Sequence, residues 1–150
     1  MTRIGYGVGK MGYESYAGKK QFNVLRFKHV KRRGYDAERQ LVDLLKRRGY
    51  WASRIPLSAV SVPLPDVIAC KKDKGFLGFQ VKSTSLSRYY ISKKYLIPLV
   101  EWKRSFEAVA KTRTFIAVKF MGKGRGWRFQ EVFDDKPIWV EYKAACETKH

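Results

Sequence analysis

Residues 65–82, PDVIACKKDKGFLGFQVK, restrict the possible folds more than any other stretch. Two short apolar runs flank the turn KKDKG, and each alternates as a strand requires. With period 2, Phe76, Gly78, Gln80 and Lys82 share one face, while Leu77, Phe79 and Val81 share the other. In the first run Asp66 lies on the face of Ile68 and Cys70. If the two strands pair, Asp66, Gln80 and Lys82 converge at one end of a sheet. Oxygen ligands beside an ammonium are what metal-assisted phosphodiester hydrolysis uses. A surface hairpin with a few polar residues has the same pattern, and these residues alone do not separate the two readings.

Charge narrows the partner class. The 150 residues carry 32 Lys and Arg against 13 Asp and Glu, a formal net charge of +19. An excess of that size repels itself unless a polyanion receives it, so nucleic acid is the expected partner. A membrane surface is the competing polyanion. However, no apolar run approaches the roughly 20 residues that span a bilayer, and no signal-peptide pattern opens the chain. With 45% hydrophobic residues the chain should fold, and its length fits one domain with a core. Two cysteines, Cys70 and Cys146, make no disulfide framework. The expected setting is reducing and cytoplasmic, associated with the nucleoid.

Residues 1–33 read as a flexible basic arm and residues 34–150 as the folded domain. Up to residue 35 there are nine Lys or Arg, one acid (Glu14) and six glycines, without helical or strand periodicity. Such an arm can bind phosphate, with Tyr6, Tyr13 and Tyr16 available for stacking, or it can be an ordinary disordered terminus.

The first predicted helix runs over residues 35–48, YDAERQLVDLLKRR, with Asp36 as N-cap and Gly49 as its stop. Ala37, Leu41, Leu44 and Leu45 form its apolar stripe. Glu38 stands seven residues before Leu45, within about 20° of it around the helix axis, and so faces the sheet. A carboxylate there needs a positive partner, and a metal near Asp66 would provide one. A first-turn Glu that simply complements the helix dipole is the alternative.

A short strand is expected over 50–55, then a loop with three prolines in ten residues that carries Ser58 and Ser61 towards Asp66. Further strands are expected near 89–91 and over 114–120, the latter in a hairpin with 127–133. Between them a helix follows Ser92, kinked by Pro98 or beginning there, with Leu99, Trp102, Phe106 and Val109 at helical spacing. Trp102 and Phe106 suit either a core or a subunit interface. The order of elements predicts an α/β domain with a mixed central sheet flanked by helices.

In this order, AERQLVDLL, RIPLS, PLPDVIA, FQVKST, FIAVKF and WRFQEV resemble the archaeal-type Holliday-junction resolvases, which are restriction-endonuclease-like nucleases with a Pro-Asp … Glu-x-Lys signature. The resemblance runs from about Gly34 to Val132. It implies a restriction-endonuclease-like fold and a homodimer that cuts four-way or other branched DNA with Mg²⁺, for which Mn²⁺ can substitute. Glu38, Asp66, Gln80 and the Val81 carbonyl fall on the metal positions, Lys82 on the lysine that orients the attacking water, and Ser58 on the loop serine. Arg39, Arg54 and Lys119 fall on DNA-contacting positions, and Trp102 and Phe106 on the dimer interface.

One position departs from the pattern. Gln80 stands where these nucleases carry Glu, so its oxygen can ligate a hard cation without bringing charge. Weaker metal binding is expected. Another DNA endonuclease of the same fold, a junction binder that does not cut, and an RNA-associated protein remain as alternatives.

Overall fold

The structure is a computed structural model that describes residues 14–56 and 64–142; of residues 14–28 and 30 only the helical backbone is described. In chain order the elements are α1 (Glu14–Arg47), β1 (Trp51–Arg54), β2 (Val67–Lys71), β3 (Gly75–Thr84), β4 (Arg88–Ile91), α2 (Lys93–Glu107), β5 (Thr112–Phe120), β6 (Trp127–Glu131) and β7 (Ile138–Glu141). The chain divides into two units at Arg32 and Arg33, and the sheet belongs to the second.

β3 is the organising strand. It pairs antiparallel with β2, placing Phe79 opposite Val67 and Gly75 opposite Lys71. On its other edge it pairs parallel with β5, Gln80 opposite Ile116 and Ser83 opposite Lys119. The order β1-β2-β3-β5-β6 makes a mixed sheet, while β4 and β7 form a separate two-stranded sheet. A parallel neighbour requires a crossover, and the segment carrying β4 and α2 provides it.

The period-2 reading of β3 is visible in its packing. Leu77, Phe79 and Val81 are buried with Ala37, Leu41, Val42 and Leu45 of α1 in one cluster that also holds Val67 and Ala69. The other face meets α2. A Cβ built on Gly78 would lie 2.7 Å from the Trp102 ring, so the absence of a side chain is what lets the indole pack against the strand. Leu96, Leu99, Ile116, Val118 and Phe120 form the core on the α2 side. The expected α/β architecture, a mixed sheet between helices, is therefore present.

Local chemistry explains the element ends. α1 stops where Gly49 takes φ +83° and the Lys71 ammonium donates to the Arg48 carbonyl at 2.9 Å. The turn between β2 and β3 uses positive φ at Asp73 and Gly75, and a side chain at Gly75 would strike the Lys111 carbonyl at 2.1 Å.

Two expectations are corrected. α1 begins at Glu14, not near Tyr35, so its helix extends into the stretch read as an irregular arm; residues 1–13 lie outside the described ones. α2 starts at Lys93 and continues through Pro98. Ser92 holds the N-cap position of α2 but makes no side-chain capping bond. Among the described residues no helix is long and apolar enough to cross a membrane.

Candidate active site

Asp66 is fixed by its own backbone before its side chain is considered. Its N–H donates to the Phe79 carbonyl at 2.9 Å and its carbonyl accepts from Ile55 N–H at 2.9 Å, which ties it to the strands on both sides. Pro65 before it is fully buried. The Asp66 carboxylate therefore reaches across the end of β2 towards β3. There its Oδ2 accepts the Val81 N–H at 2.8 Å and a hydrogen bond from Gln80 Nε2. A carboxylate only accepts, so the amide turns its nitrogen towards Asp66. In an extended strand the N–H and C=O of one residue leave on the same edge, so the Val81 carbonyl also faces this end of the sheet.

Burial pushes the Asp66 carboxyl above the ordinary carboxylate range. The Val81 N–H is the largest opposing influence, followed by the Lys82 ammonium, while Glu38 pushes further upward and Arg54 pulls down. Glu38 is thus within electrostatic reach of Asp66, as its helical position required.

Glu38 is half-buried and holds a positive partner of its own. Arg54 Nε donates to Glu38 Oε2 at 2.7 Å, and the guanidinium stacks 4.7 Å from the Tyr35 ring centroid. Arg39 is exposed beside this pair. With Asp43, Lys46, Ser53 and Arg54 it lines an open depression of about 290 Å³.

Lys82 is half-buried, and its ammonium rests 4.0 Å over the Tyr95 ring of α2. Reading the sequence missed Tyr95, because nothing in a spacing of 13 residues between a strand and a helix announces the contact. Lys119 is half-buried on β5, 6.0 Å from the Trp127 ring and opposite Ser83, one residue beyond Lys82. Ser58 and Ser61 lie outside the described residues. Trp102 is 6% exposed and packs against Phe106 with centroids 5.1 Å apart and the rings tilted by 39°; Phe106 is 40% exposed. Of this aromatic pair, Phe106 is the one that offers surface.

The structure therefore brings Asp66, Gln80 and Val81 into direct contact, with Lys82 and Glu38 beside them. Among the described residues no group of three or more His, Cys, Asp or Glu side chains is placed to hold a metal ion. Two carboxylates, an amide oxygen and a backbone carbonyl are nonetheless a hard-oxygen set, and Mg²⁺ is commonly held by one or two carboxylates with water completing the shell. Asp66, half-buried and with Glu38 in electrostatic reach, is a group that a cation would relieve. The donor set fits a divalent ion provided that Gln80 turns its oxygen towards it.

Comparison with known proteins places the chain among junction-resolving nucleases. The chain is 35% identical over 108 residues to the crossover junction endodeoxyribonuclease Hje of Sulfolobus acidocaldarius, covering 71% of this chain and 75% of that one. It is 36% identical over 88 residues to the Hje of Saccharolobus islandicus, covering 58% of this chain and 63% of that one. The solved structure of Archaeoglobus fulgidus Hjc, a Holliday junction resolvase, superposes with a TM-score of 0.54 at 30% identity, covering 63% of this chain and 72% of that one. The family model described as "Archaeal holliday junction resolvase (hjc)" matches residues 29–144, and the chain belongs to that family.

Proposed function

We propose that this protein is a metal-dependent endonuclease that binds four-way DNA junctions and cuts two strands symmetrically as a homodimer. The observation that supports the reading is the Asp66–Gln80 hydrogen bond at one end of β3, with Lys82 and Glu38 in electrostatic reach, in a chain of this family. The family implies use of a divalent metal, and Mg²⁺ is the ion we assign, with Mn²⁺ as a substitute. Asp66, Glu38, the Gln80 amide oxygen and the Val81 carbonyl are the residues that would hold it. When bound, the ion supplies Lewis-acid polarisation of the scissile phosphate and stabilises the leaving oxygen.

The remaining work falls to this chain's own groups. Lys82 directs its ammonium at the site and orients a water for in-line attack. Arg54, which holds Glu38, would be free to bind a phosphate oxygen if Glu38 served as a metal ligand, since a guanidinium fork suits phosphate. Arg39 and Lys119 extend the basic surface along the DNA backbone, and Ser58 adds a hydroxyl from its loop. The basic N-terminal arm, residues 1–33, adds further phosphate contacts to the nuclease domain of residues 34–150.

Phe106 packs against Phe76 with centroids 6.1 Å apart, and both rings are partly exposed, which supports an apolar contact between subunits centred on Phe106 and backed by Trp102. Two-fold symmetry then supplies the second cut. An enzyme of this kind acts on nucleoid DNA in the cytoplasm.

Competition at fixed salt tests the substrate: a labelled four-way junction is challenged with linear duplex of the same sequence and with RNA. Preference for the junction, with paired cuts mapped symmetrically about its centre in Mg²⁺, is expected. Equal displacement by duplex or RNA would contradict junction selectivity, because a +19 chain binds any polyanion when salt is low.

A further inference from the structure

We infer that Tyr95 is a positioning residue that holds the Lys82 ammonium at the active site; this rests on the role given to Lys82 above. At 4.0 Å from the ring centroid, the Lys82 contact is shorter than any other cation–ring contact among the described residues. A lysine side chain has four flexible carbons, and left free its ammonium samples many positions. The negative face of an aromatic ring attracts that charge and narrows the sampling.

The ring is itself held in place. Tyr95 packs on the core cluster that contains Ile91, Leu96 and Leu99. Its N–H donates to the Ser92 carbonyl at 3.0 Å in the first turn of α2. Lys94 reaches the same ring at 5.0 Å, but it is exposed and one ångström further away. Lys82 also lies within electrostatic reach of Asp66, whose carboxyl it pulls downward. The ring contact at 4.0 Å is therefore what localises the ammonium beside the site. The contact needs the ring face and makes no use of the phenolic hydroxyl.

The test uses the full chain with ¹³C-labelled lysine, the Lys82 ε-methylene signal being assigned with Lys82→Arg. Ring current should shift that signal upfield in the wild type and in Tyr95→Phe. It should return to the position of exposed lysines in Tyr95→Leu, or in Tyr95→Met if the leucine variant does not fold. In single-turnover junction cleavage, losing the ring should slow cutting roughly tenfold, as a misplaced catalytic group does. Melting temperature should fall with the ring packing lost from the core, while junction affinity stays at the wild-type value and Tyr95→Phe recovers most of the lost rate. A Lys82 signal unchanged by loss of the ring, or a wild-type cutting rate without it, would overturn the inference. A ring-dependent Lys82 signal in a protein that cuts no junction would leave the clamp standing and sink the nuclease reading instead.

Discussion

Replacing Gln80 with Glu should destabilise the metal-free domain and tighten its hold on a divalent ion. In the wild type, Gln80 Nε2 donates to Asp66 Oδ2, so the amide does in part what a cation would do. The substitution removes a hydrogen bond to a charged acceptor, which stabilises by about 1.5–3 kcal/mol. It also sets two carboxylates side by side, where at about 4 Å and an effective dielectric near 20 the repulsion approaches ~4 kcal/mol. The pair relieves part of that repulsion by taking up a shared proton, at a cost that grows with pH, so about 1.5 kcal/mol is the working figure near neutral pH. For a domain of this size, about 1.5 kcal/mol corresponds to a fall of roughly 6 °C in melting temperature. The same change removes the competitor for Asp66 and adds a charged ligand, so affinity for Mg²⁺ should rise by about tenfold or more. Scanning calorimetry in chelator and in Mg²⁺, with isothermal titration of the ion, reads both effects. A variant that melts with the wild type in chelator and binds Mg²⁺ no more tightly would refute the account of Gln80.

Other perturbations follow from the same geometry. Gly78→Ala places a methyl 2.7 Å from the Trp102 ring and should cost about 1–3 kcal/mol in a denaturant titration. Arg54→Met breaks the 2.7 Å pair with Glu38 and the stacking on Tyr35, lowering stability by about 1 kcal/mol. It should also reduce the salt dependence of junction binding by about one unit of slope. Because the Asp66 carboxyl is raised in the folded state, the native protein binds that proton more tightly than the unfolded chain does. Its contribution to stability should therefore fall as pH rises from the ordinary Asp value through the raised one. Denaturant midpoints measured in chelator should show this slope in the wild type and lose it in Asp66→Asn, and saturating Mg²⁺ should flatten it.

The parts of this fold governed by short periods were legible in the sequence. Alternation in β3 separates Leu77, Phe79 and Val81 from Gly78, and the two faces pack on different helices. The same alternation, with Asp66 on the neighbouring strand, brought Gln80 to its partner. Seven-residue spacing put Glu38 on the inner side of α1, where it is half-buried. The direction of the Gln80 bond was not readable, because an amide can present either end until its neighbour is known. Nor was the partner of Glu38: Arg54 had the look of a phosphate contact, and only tertiary structure shows it seated on the helix carboxylate.

Other features were hidden for different reasons. The first turns of α1 lack apolar periodicity, so their helicity does not register as amphipathic pattern. α2 continues through Pro98 because burial of Leu96, Leu99, Val100 and Trp102 outweighs one missing backbone donor. β4 was legible as a strand near 89–91, but its pairing with the four-residue β7 joins residues about 50 apart, which pattern alone does not reveal.

Cleavage of a synthetic four-way junction in Mg²⁺ by the wild type beside Asp66→Asn and Lys82→Ala is the most direct test of the central claim. The site built on Asp66, Gln80 and Lys82 predicts paired cuts by the wild type, abolished in chelator, and a loss of at least about a hundredfold in either variant. Junction binding should persist in both. Either variant cutting as fast as the wild type would contradict the site, and a wild type that binds the junction without cutting it in Mg²⁺ would contradict the activity.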